Sequence, residues 1–292
     1  MVTETLGFVG LGNMGGPMVA NLAAAGFRLS LHDKAGSRER APEDAAIAAS
    51  PGEVARAADI VFLSLPDGDA CQEVGREIAT TPGRTTTVVV DFSTTGVAAA
   101  REIARGLAEA GIIYADAPVS GGKAGAVAGS LTVMWSGSAE LLQRLRPALD
   151  AVAKNIFHVG TAPGQGQAMK LLNNFLSGTA LAATSEAVAY GETQGLDPRT
   201  VVDVLNASTG RNTATSDKFP NRILSGTFDC GFQTALMAKD LRLYVESART
   251  GGSPLDIAKW VAEIWQRADS EMPDSDCTRI FELICGPRRG SL

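Results

Sequence analysis

A lysine and three small polar residues share one face of a long, otherwise apolar helical segment. These residues are Lys170, Asn173, Asn174 and Ser177, and their i, i+3, i+4, i+7 spacing places them on the same face of an α-helix. An ammonium group is costly to bury without a partner, and its desolvation favours the neutral amine, which accepts a proton. The spacing leaves two interpretations open. Either the stripe is solvated on a half-exposed helix, or it faces a cleft between domains, where Lys170 acts as a general acid/base.

A glycine-rich turn near the N-terminus has the residue types that bind a dinucleotide. It follows directly after an apolar segment at 6–9 and opens a helical stretch. The first glycine permits the tight turn, the second lets the backbone approach a pyrophosphate, and the third lets the helix pack on the strand. The helix N-terminus adds unpaired N–H groups for the phosphates. The residues predicted to contact the cofactor here are Gly10, Leu11, Gly12, Asn13, Met14 and Gly15.

A carboxylate about twenty residues further on bears on the choice of cofactor. Asp33 ends a second predicted strand at 29–33. Its oxygens can accept hydrogen bonds from both ribose hydroxyls, and its charge repels a 2′-phosphate. This favours NAD over NADP. Lys34 and Arg38 lie close by in the sequence and leave NADP possible.

The elements that must position these residues alternate over the first half of the chain. Short apolar strands separated by helical segments predict a parallel, doubly wound α/β sheet of the Rossmann type. The predicted strands lie at 6–9, 29–33, 60–63, 87–90, 112–114, 131–134 and 156–159. Because ligands lie at the carboxyl ends of strands in such sheets, we expect the loops that begin at Ser64, Asp91 and Asp116 to form a wall of the cofactor cleft.

The pattern changes near residues 160–164, where strand signals stop. Helical segments are predicted over 165–194, 198–207, 234–249 and 254–268. We therefore expect a dinucleotide-binding domain at 1–161 and an all-helical domain for substrate binding and oligomerisation at 162–292. The first of these helices is apolar almost all round, so it requires cover inside its domain or at a subunit interface. This predicts a homodimer or a homotetramer.

Composition narrows the class of protein. Hydrophobic residues make up 45% of the chain, the formal net charge is −6, and no long basic run is present. Nucleic acid and membrane surfaces are therefore not expected as partners. Since no stretch of eighteen or more apolar residues exists, we expect no membrane span. Cysteines without metal-ligand spacing predict reduced thiols in a cytoplasmic protein, with neither a disulfide framework nor a zinc site; they are Cys71, Cys230, Cys277 and Cys285.

Four separated motifs resemble those of the β-hydroxyacid dehydrogenase family. This family includes 3-hydroxyisobutyrate dehydrogenases and tartronate semialdehyde reductases, and it is related to 6-phosphogluconate dehydrogenase. The motifs are the glycine turn at 7–18, a loop at 116–132, the start of the long helix at 164–174, and Lys239-Asp240-Leu241. The resemblance covers nearly the whole chain, and it is specific to the superfamily rather than to a substrate.

The resemblance implies where the substrate binds. Lys170 is the implied general acid/base, and Asn174 binds substrate beside it. The substrate carboxylate is held by backbone N–H groups and a hydroxyl of Ser120, Gly121 and Gly122.

Further cofactor and substrate positions also follow from the resemblance. Leu65 and Pro66 line the adenine-ribose side, and Thr94 lies near the nicotinamide ribose. Lys239 reaches the cofactor side of the cleft from the helical domain, and Asp240 lies beside it toward the substrate. Without the resemblance, these last two residues are typical of a solvated helix end.

One segment, residues 208–220, has no counterpart among the family motifs. Arg211 in this segment is a candidate partner for a second anionic group of the substrate, and the alternative is a plain surface arginine.

The resemblance implies reversible hydride transfer between a nicotinamide cofactor and a small 3-hydroxy acid or semialdehyde, without a metal. Three rival functions stay open. An imine reductase on the same scaffold is disfavoured by Lys170, and an NADP-linked semialdehyde or glyoxylate reductase is disfavoured by Asp33. A non-catalytic NAD(P)-binding protein is disfavoured by the presence of both Lys170 and Asn174.

Overall fold

The computed structural model describes residues 5–286 of the 292-residue chain. The chain divides into two compact units, Met1–Lys170 and Leu171–Leu292. The division falls inside the long helix Gln165–Thr193, whose first residues belong to the first unit.

Nine strands form one sheet among the described residues of the first unit. They are β1 (Thr5–Val9), β2 (Arg28–His32), β3 (Ala46–Ile47), β4 (Ile60–Leu63), β5 (Val88–Asp91), β6 (Ile113–Asp116), β7 (Val119–Ser120), β8 (Leu131–Ser136) and β9 (Ala153–Gly160). The strand order is β3-β2-β1-β4-β5-β6-β8-β7, and β9 pairs with β8.

The order of strands reverses between β1 and β4. From β1 the chain moves outward through β2 and β3, and it then returns to β4 on the other side of β1. Ligands of open α/β sheets bind at the carboxyl ends of strands beside such a switch point. The turn after β1 lies there, since Gly10 N donates to His32 O (2.9 Å) and Ser64 N donates to Val9 O (3.0 Å).

The predicted fold class, a Rossmann-type sheet followed by an all-α part, is confirmed. The unpredicted strands β3 and β7 have two residues each, too few to show a periodicity. The sheet differs from the expected parallel arrangement at one end, where β8 runs antiparallel to β6 and β7. The connection between β7 and β8, residues 121–130, is shorter than the crossover of about a dozen residues that a parallel pair needs.

Helices cover both faces of this sheet. They are α1 (Gly15–Ala24), α2 (Pro51–Ala57), α3 (Gly68–Thr80), α4 (Val97–Glu109), α5 (Gly122–Val127) and α6 (Ala139–Val152). Three of them begin at a side chain that accepts a hydrogen bond from the first turn: Ser50, Asp67 and Ser138. Alternation along the strands divides the core, so that Phe8 and Phe62 point to one face while Val9 and Leu63 point to the other.

The second unit is helical. Its elements are the remainder of α7 (Gln165–Thr193), α8 (Pro198–Asn206), a π-helix (Ala214–Ile223), α9 (Thr234–Thr250), α10 (Asp256–Glu271), a 3-10 turn (Cys277–Arg279) and α11 (Ile280–Cys285). The four predicted helices are present. The π-helix was not predicted, because Pro220 and several polar residues within it are typical of a loop.

Close packing of the second unit depends on a glycine of α7. Trp265 of α10 is fully buried and donates its indole N–H to Gly178 O (3.2 Å). A Cβ at Gly178 would lie 3.2 Å from Met237 Sδ and 3.3 Å from a Leu241 methyl group, so a larger residue requires these side chains to shift by a few tenths of an ångström. Within residues 5–286, no helix combines the length and apolar character required to span a bilayer.

A buried carboxyl group stands at the end of β5 in the first unit. Asp91 accepts hydrogen bonds from Ser93 N (2.8 Å) and from the Tyr114 hydroxyl (3.1 Å). Burial raises the pKa of Asp91 to about 6, because these bonds compensate only part of the desolvation of its charge. The same burial raises the pKa of the neighbouring Cys71 thiol.

Asp91→Asn is expected to remove a pH-dependent cost of folding. Between about pH 4 and pH 6 the native carboxyl keeps a proton that the unfolded chain has released, so the unfolding free energy falls as pH rises through this window and is flat above it. A pKa of about 6 against 3.8 corresponds to about 3 kcal/mol. Urea unfolding across this range should show the variant gaining stability relative to wild type as pH rises. The exposed Asp44→Asn is the control, and identical pH dependences of wild type and Asp91→Asn would contradict the assignment.

Candidate active site

The three glycines of the turn after β1 have distinct steric roles. Gly10 has φ +98°, and a Cβ there would clash with Ser64 O of the loop after β4. A Cβ at Gly15 would clash with Gly10 O, so the third glycine allows α1 to begin against the turn. A Cβ at Gly12 would meet no atom within 4 Å. Gly12 therefore faces open space, as close approach of a phosphate requires.

A cavity of about 510 Å³ lies at this turn, within the first unit. The N-terminus of α1 opens onto it, so backbone N–H groups and the helix dipole favour an anion there. Two cationic residues, Arg40 and Lys123, belong to its lining. The lining residues are Leu11, Gly12, Asn13, Gly16, Pro17, Arg40 and Lys123. The residues present thus fit a dinucleotide with its diphosphate at the turn.

Asp33 is fixed beside the glycine turn. Its Oδ2 accepts from Leu11 N (2.5 Å) and its Oδ1 from Ala35 N (2.8 Å), which leaves lone pairs on both oxygens for further donors. Arg40 lies 3.7 Å from Oδ1. The sequence indicated Lys34 and Arg38 as the cations of this region, but neither belongs to the cavity lining, whereas Arg40 does.

The next two loops lie at the same edge of the sheet. Leu65 follows β4 and donates its backbone N–H to Ser93 Oγ after β5 (2.8 Å). A Leu65 methyl group would lie 3.0 Å from a Cβ at Gly10, so this side chain packs on the glycine turn. Pro66 and Thr94 lie in these two loops, next to the residues that join them.

The predicted carboxylate loop stands between β7 and α5. Ser120 ends β7, and Gly121 (φ +130°) and Gly122 (φ +61°) adopt backbone conformations that favour glycine. Asn21 of α1 donates to Ala126 O of α5 (2.8 Å), which ties this loop to the helix of the glycine turn. The structure therefore brings the predicted substrate loop and the cofactor turn together within the first unit.

The beginning of α7 is anchored to the ends of β5 and β6. The buried Asp116 carboxylate accepts from Gly164 N (2.9 Å) and Gln167 N (2.9 Å). Desolvation raises the pKa of Asp116, and its bonds to backbone N–H groups oppose that rise. A Cβ at Gly166 would lie 2.8 Å from an Asp116 oxygen, so the close approach of helix and strand requires glycine at this position.

The Gln167 side chain completes the anchor. Its oxygen accepts from Thr95 N (2.9 Å) and Gly96 N (3.2 Å), and its amide donates to Ser93 O (2.9 Å). Gln167 is fully buried. All of these groups belong to the first unit, so the first turn of α7 is fixed on the carboxyl edge of its sheet.

Lys170 lies three residues after Gln167, on the same side of α7. It is 7% exposed, and Asn174, one turn later, is 6% exposed. The interpretation as a solvated stripe is therefore wrong for these two residues.

In the second unit, the predicted residues of α7 and α9 meet. Asn174 donates its side-chain amide to Asp240 Oδ2 (2.6 Å), and Lys239 Nζ lies 3.5 Å from Asp240 Oδ1. Asn173 donates to Asn174 Oδ1 (3.0 Å), so the orientation of the Asn174 amide is fixed from both ends. Asp240 is buried, which is not typical of a solvated helix end.

The sequence interpretation assigned no role to four residues of this arrangement. Asp116 and Gln167 stood inside two recognised motifs, but only the folded chain shows that both fix the start of α7 to the sheet. Arg40 and Lys123 are separated by too many residues for spacing to associate them. Arg211 is exposed in the turn before the π-helix, and its proposed role stays a prediction.

Comparisons with known proteins agree with one another over most of the chain. Residues 5–160 match the NAD binding domain of 6-phosphogluconate dehydrogenase, and residues 164–284 match the NAD-binding domain of NADP-dependent 3-hydroxyisobutyrate dehydrogenase. The chain is 36% identical to 2-(hydroxymethyl)glutarate dehydrogenase of Eubacterium barkeri, over 89% of this chain and 88% of that protein. It is 37% identical to the NAD-dependent L-serine dehydrogenase of Pseudomonas aeruginosa, over 86% of this chain and 87% of that protein.

A solved structure of a named dehydrogenase is similar to this chain over almost its whole length. Mycobacterium tuberculosis 3-hydroxyisobutyrate dehydrogenase with L-serine is 32% identical, with a TM-score of 0.88, and the match covers 97% of this chain and 99% of that chain.

Gln167→Leu is expected to loosen the start of α7. The variant leaves two buried backbone N–H groups without an acceptor, so the unfolding free energy should fall by about 2–4 kcal/mol. Turnover should fall, and dinucleotide affinity should change less than turnover, because Gln167 contacts the loop that carries Thr94 but not the glycine turn. Urea unfolding, a cofactor titration and initial rates measure the three quantities. The exposed Gln143→Leu in α6 is the matched control, and unchanged stability and turnover in Gln167→Leu would contradict the anchoring role.

Proposed function

The chain belongs to the β-hydroxyacid dehydrogenase family, and on that basis we propose that it transfers a hydride between a nicotinamide cofactor and a small 3-hydroxy acid. The family membership and the NAD(P)-dependent oxidoreductase class that the sequence motifs predict are confirmed. The relatives act on hydroxymethylglutarate, 3-hydroxyisobutyrate and serine, which are all hydroxy acids with a hydroxymethyl group. The proposed substrate shares that group and a carboxylate.

One observation carries the proposal. Lys170 is a buried amine one turn beyond Gln167, and the Gln167 side chain is bonded to the backbone that follows β5. Burial favours the neutral form of an amine and strengthens the hydrogen bonds that it makes. A proton acceptor at the carboxyl edge of a dinucleotide-binding sheet is what oxidation of an alcohol requires.

The proposed mechanism assigns proton transfer to Lys170. When bound, the nicotinamide ring accepts or supplies the hydride. In the direction of alcohol oxidation, Lys170 Nζ accepts the proton of the substrate hydroxyl while the carbinol carbon loses its hydride. In the direction of reduction, the ammonium form polarises the carbonyl oxygen and donates the proton to it.

The remaining groups position the substrate. The amide of Asn174 has one N–H bonded to Asp240, which leaves its second N–H for a substrate oxygen. Asp240 therefore acts through Asn174 as a positioning residue. The backbone N–H groups of Gly121 and Gly122 and the Ser120 hydroxyl are the proposed donors to the substrate carboxylate. Holding both ends of a small acid in this way fixes which carbon faces the ring.

Lys170→Met is expected to abolish proton transfer while leaving cofactor binding intact. Loss of a general acid/base lowers kcat by about 100-fold to 10,000-fold. The NADH dissociation constant, measured by fluorescence titration, should remain that of wild type, and circular dichroism reports the fold. The exposed Lys259→Met is the matched control. Wild-type turnover in Lys170→Met would refute the assigned role, and lost NADH binding would show a structural role instead.

NAD is the proposed preferred cofactor, and NADP remains possible. Asp33 supports this preference, because its charge opposes a 2′-phosphate while its free lone pairs accept ribose hydroxyls. Arg40 beside it is the residue that supports use of NADP.

Asp33→Ser is expected to shift the cofactor preference. The ratio of kcat/KM with NADPH to that with NADH should rise about tenfold or more, since about 1.4 kcal/mol of repulsion is removed. Initial rates with both cofactors measure the ratio. Asp33→Ser combined with Arg40→Ala should reverse most of the gain, and an unchanged ratio in Asp33→Ser would contradict the proposed preference.

A panel of substrates separates the rival functions. Turnover of 3-hydroxy acids or their semialdehydes supports the proposal. Activity confined to cyclic imines would favour an imine reductase, and activity confined to glyoxylate or succinic semialdehyde with NADPH would favour the NADP-linked reductase. Nicotinamide cofactor binding without turnover of any panel member would favour a non-catalytic protein.

We also propose that copies of the chain assemble as a homodimer or a homotetramer. Leu176 and Tyr190 of α7 are 61% and 67% exposed in the single chain, and Trp260 of α10 is 71% exposed. Apolar side chains of this size on two helices are typical of a surface that another subunit covers. Light scattering should give the mass of two or four chains, and the mass of a single chain would contradict the proposal. The predicted cytoplasmic location stays a prediction.

A further inference from the structure

Two cysteines and an aspartate converge in the second unit, on segments far from one another in the sequence. Cys230 lies in the segment that leads into α9, and Cys277 begins the 3-10 turn before α11. Their sulfur atoms are 3.4 Å apart. With Asp276 they form a group whose three donor atoms all lie within 4.8 Å of one another.

Backbone pairing holds the two segments together. Gln233 and Asp276 form an antiparallel β-bridge. Cys277 N donates to Phe232 O (2.8 Å), so the backbone of one donor residue is fixed directly to the other segment. The convergence of the two thiols therefore follows from main-chain hydrogen bonds and not from side-chain rotamers alone.

We propose that Cys230, Asp276 and Cys277 bind one divalent cation of the zinc class. Two thiolates and a carboxylate are ligands that Zn²⁺ accepts, and thiolates discriminate against Mg²⁺ and Ca²⁺. Zinc–sulfur bonds of about 2.3 Å in a tetrahedron place two sulfur atoms about 3.8 Å apart, close to the separation of 3.4 Å in this structure. Binding replaces the two thiol protons, which are released, and a water molecule completes the four ligands.

The carboxylate is already oriented for this role. Asp276 Oδ2 accepts from Gly231 N (2.8 Å), and Oδ1 accepts from Thr278 N (3.0 Å) and from the Thr278 hydroxyl (2.5 Å). A carboxylate has about four acceptor directions, and the Cys230 thiol also bonds to this one, so a direction becomes available to a cation once the thiol proton is released. Ligating carboxylates are commonly held by outer hydrogen bonds of this kind.

Access to the site is from one side. Cys277 is buried, whereas Cys230 and Asp276 are half-buried, so an ion and its water ligand can reach the group past these two residues. A disulfide would join the same two sulfur atoms without using the Asp276 carboxylate, which caps the 3-10 turn in either case. The bound ion would fasten the segment before α9, which carries Lys239 and Asp240, to the segment before α11. This inference does not depend on the proposed dehydrogenase function.

The proposed site differs from an expectation drawn from spacing. The sequence predicts no zinc site because the two cysteines are widely separated and no CxxC or Cys/His pattern is present. Antiparallel pairing brings the segments together, and spacing rules for local motifs do not detect such a pairing.

Titration of the full-length chain with Co²⁺ tests the proposal, because Co²⁺ substitutes for zinc and reports its ligands. The protein is reduced with a phosphine, stripped with a chelator and titrated without oxygen. We expect one ion per chain, thiolate-to-cobalt charge-transfer absorption, the visible bands of a tetrahedral ion, and displacement of Co²⁺ by Zn²⁺. Cys230→Ser with Cys277→Ser should lose these bands, and Cys285→Ser, which removes a cysteine outside the group, should keep them.

Asp276→Asn separates a ligand from a helix cap. Asparagine keeps an acceptor for the Thr278 N–H, so the fold is retained, but the Co²⁺ dissociation constant should rise about tenfold or more. Zn²⁺ should raise the melting temperature of wild type and leave that of the double serine variant unchanged. Absence of charge-transfer absorption in reduced, folded wild type would overturn the proposal. Loss of two titratable thiols on exposure to peroxide, with no Co²⁺ binding, would identify the pair as a disulfide instead.

Discussion

The candidate site depends on a buried set of hydrogen bonds that fixes the first turn of α7 to the ends of β5 and β6. Asp116 accepts two backbone N–H groups from this turn, and Gln167 satisfies three backbone groups of the loop after β5. Each of these groups would be costly to bury without its partner, so the hydrogen bonds strongly favour one position of the helix start. Lys170 follows within one turn, and the same hydrogen bonds therefore determine where its backbone lies.

Charged groups have different roles in the two units. The glycine turn, the N-terminus of α1 and the cations Arg40 and Lys123 create a positive environment around one cavity of the first unit. Asp33 adds a negative group at the place where a ribose is expected, and its own bonds to the turn hold it there. In the second unit, Asp240 holds the Asn174 amide in one orientation. The charged groups of the first unit thus suit a dinucleotide, and Asp240 in the second unit orients a side chain.

Much of the fold can be predicted from local sequence patterns. Strand periodicity and the glycine turn are each read from a few neighbouring residues, and Asp33 is found by its spacing from that turn. Lys170 and Asn174 are also accessible to sequence reasoning, since helical spacing relates them. The anchor between Asp116 and Gln167, the position of Arg40 and the contact between Cys230 and Cys277 are not, because each depends on residues that only tertiary packing brings together. β8 itself was predicted, but its antiparallel direction was missed, because its pairing with β6 and β7 is visible only in the folded sheet.

The central claim is that the Lys170 amine is the group that exchanges a proton with the substrate hydroxyl. A crystal structure of the chain with NAD and a 3-hydroxy acid that the enzyme oxidises tests this claim most directly. The account predicts Lys170 Nζ within about 2.6–3.2 Å of the substrate hydroxyl, with the Asn174 amide on an oxygen of the same substrate. A substrate hydroxyl bonded to another titratable side chain, with Lys170 Nζ out of reach, would contradict it.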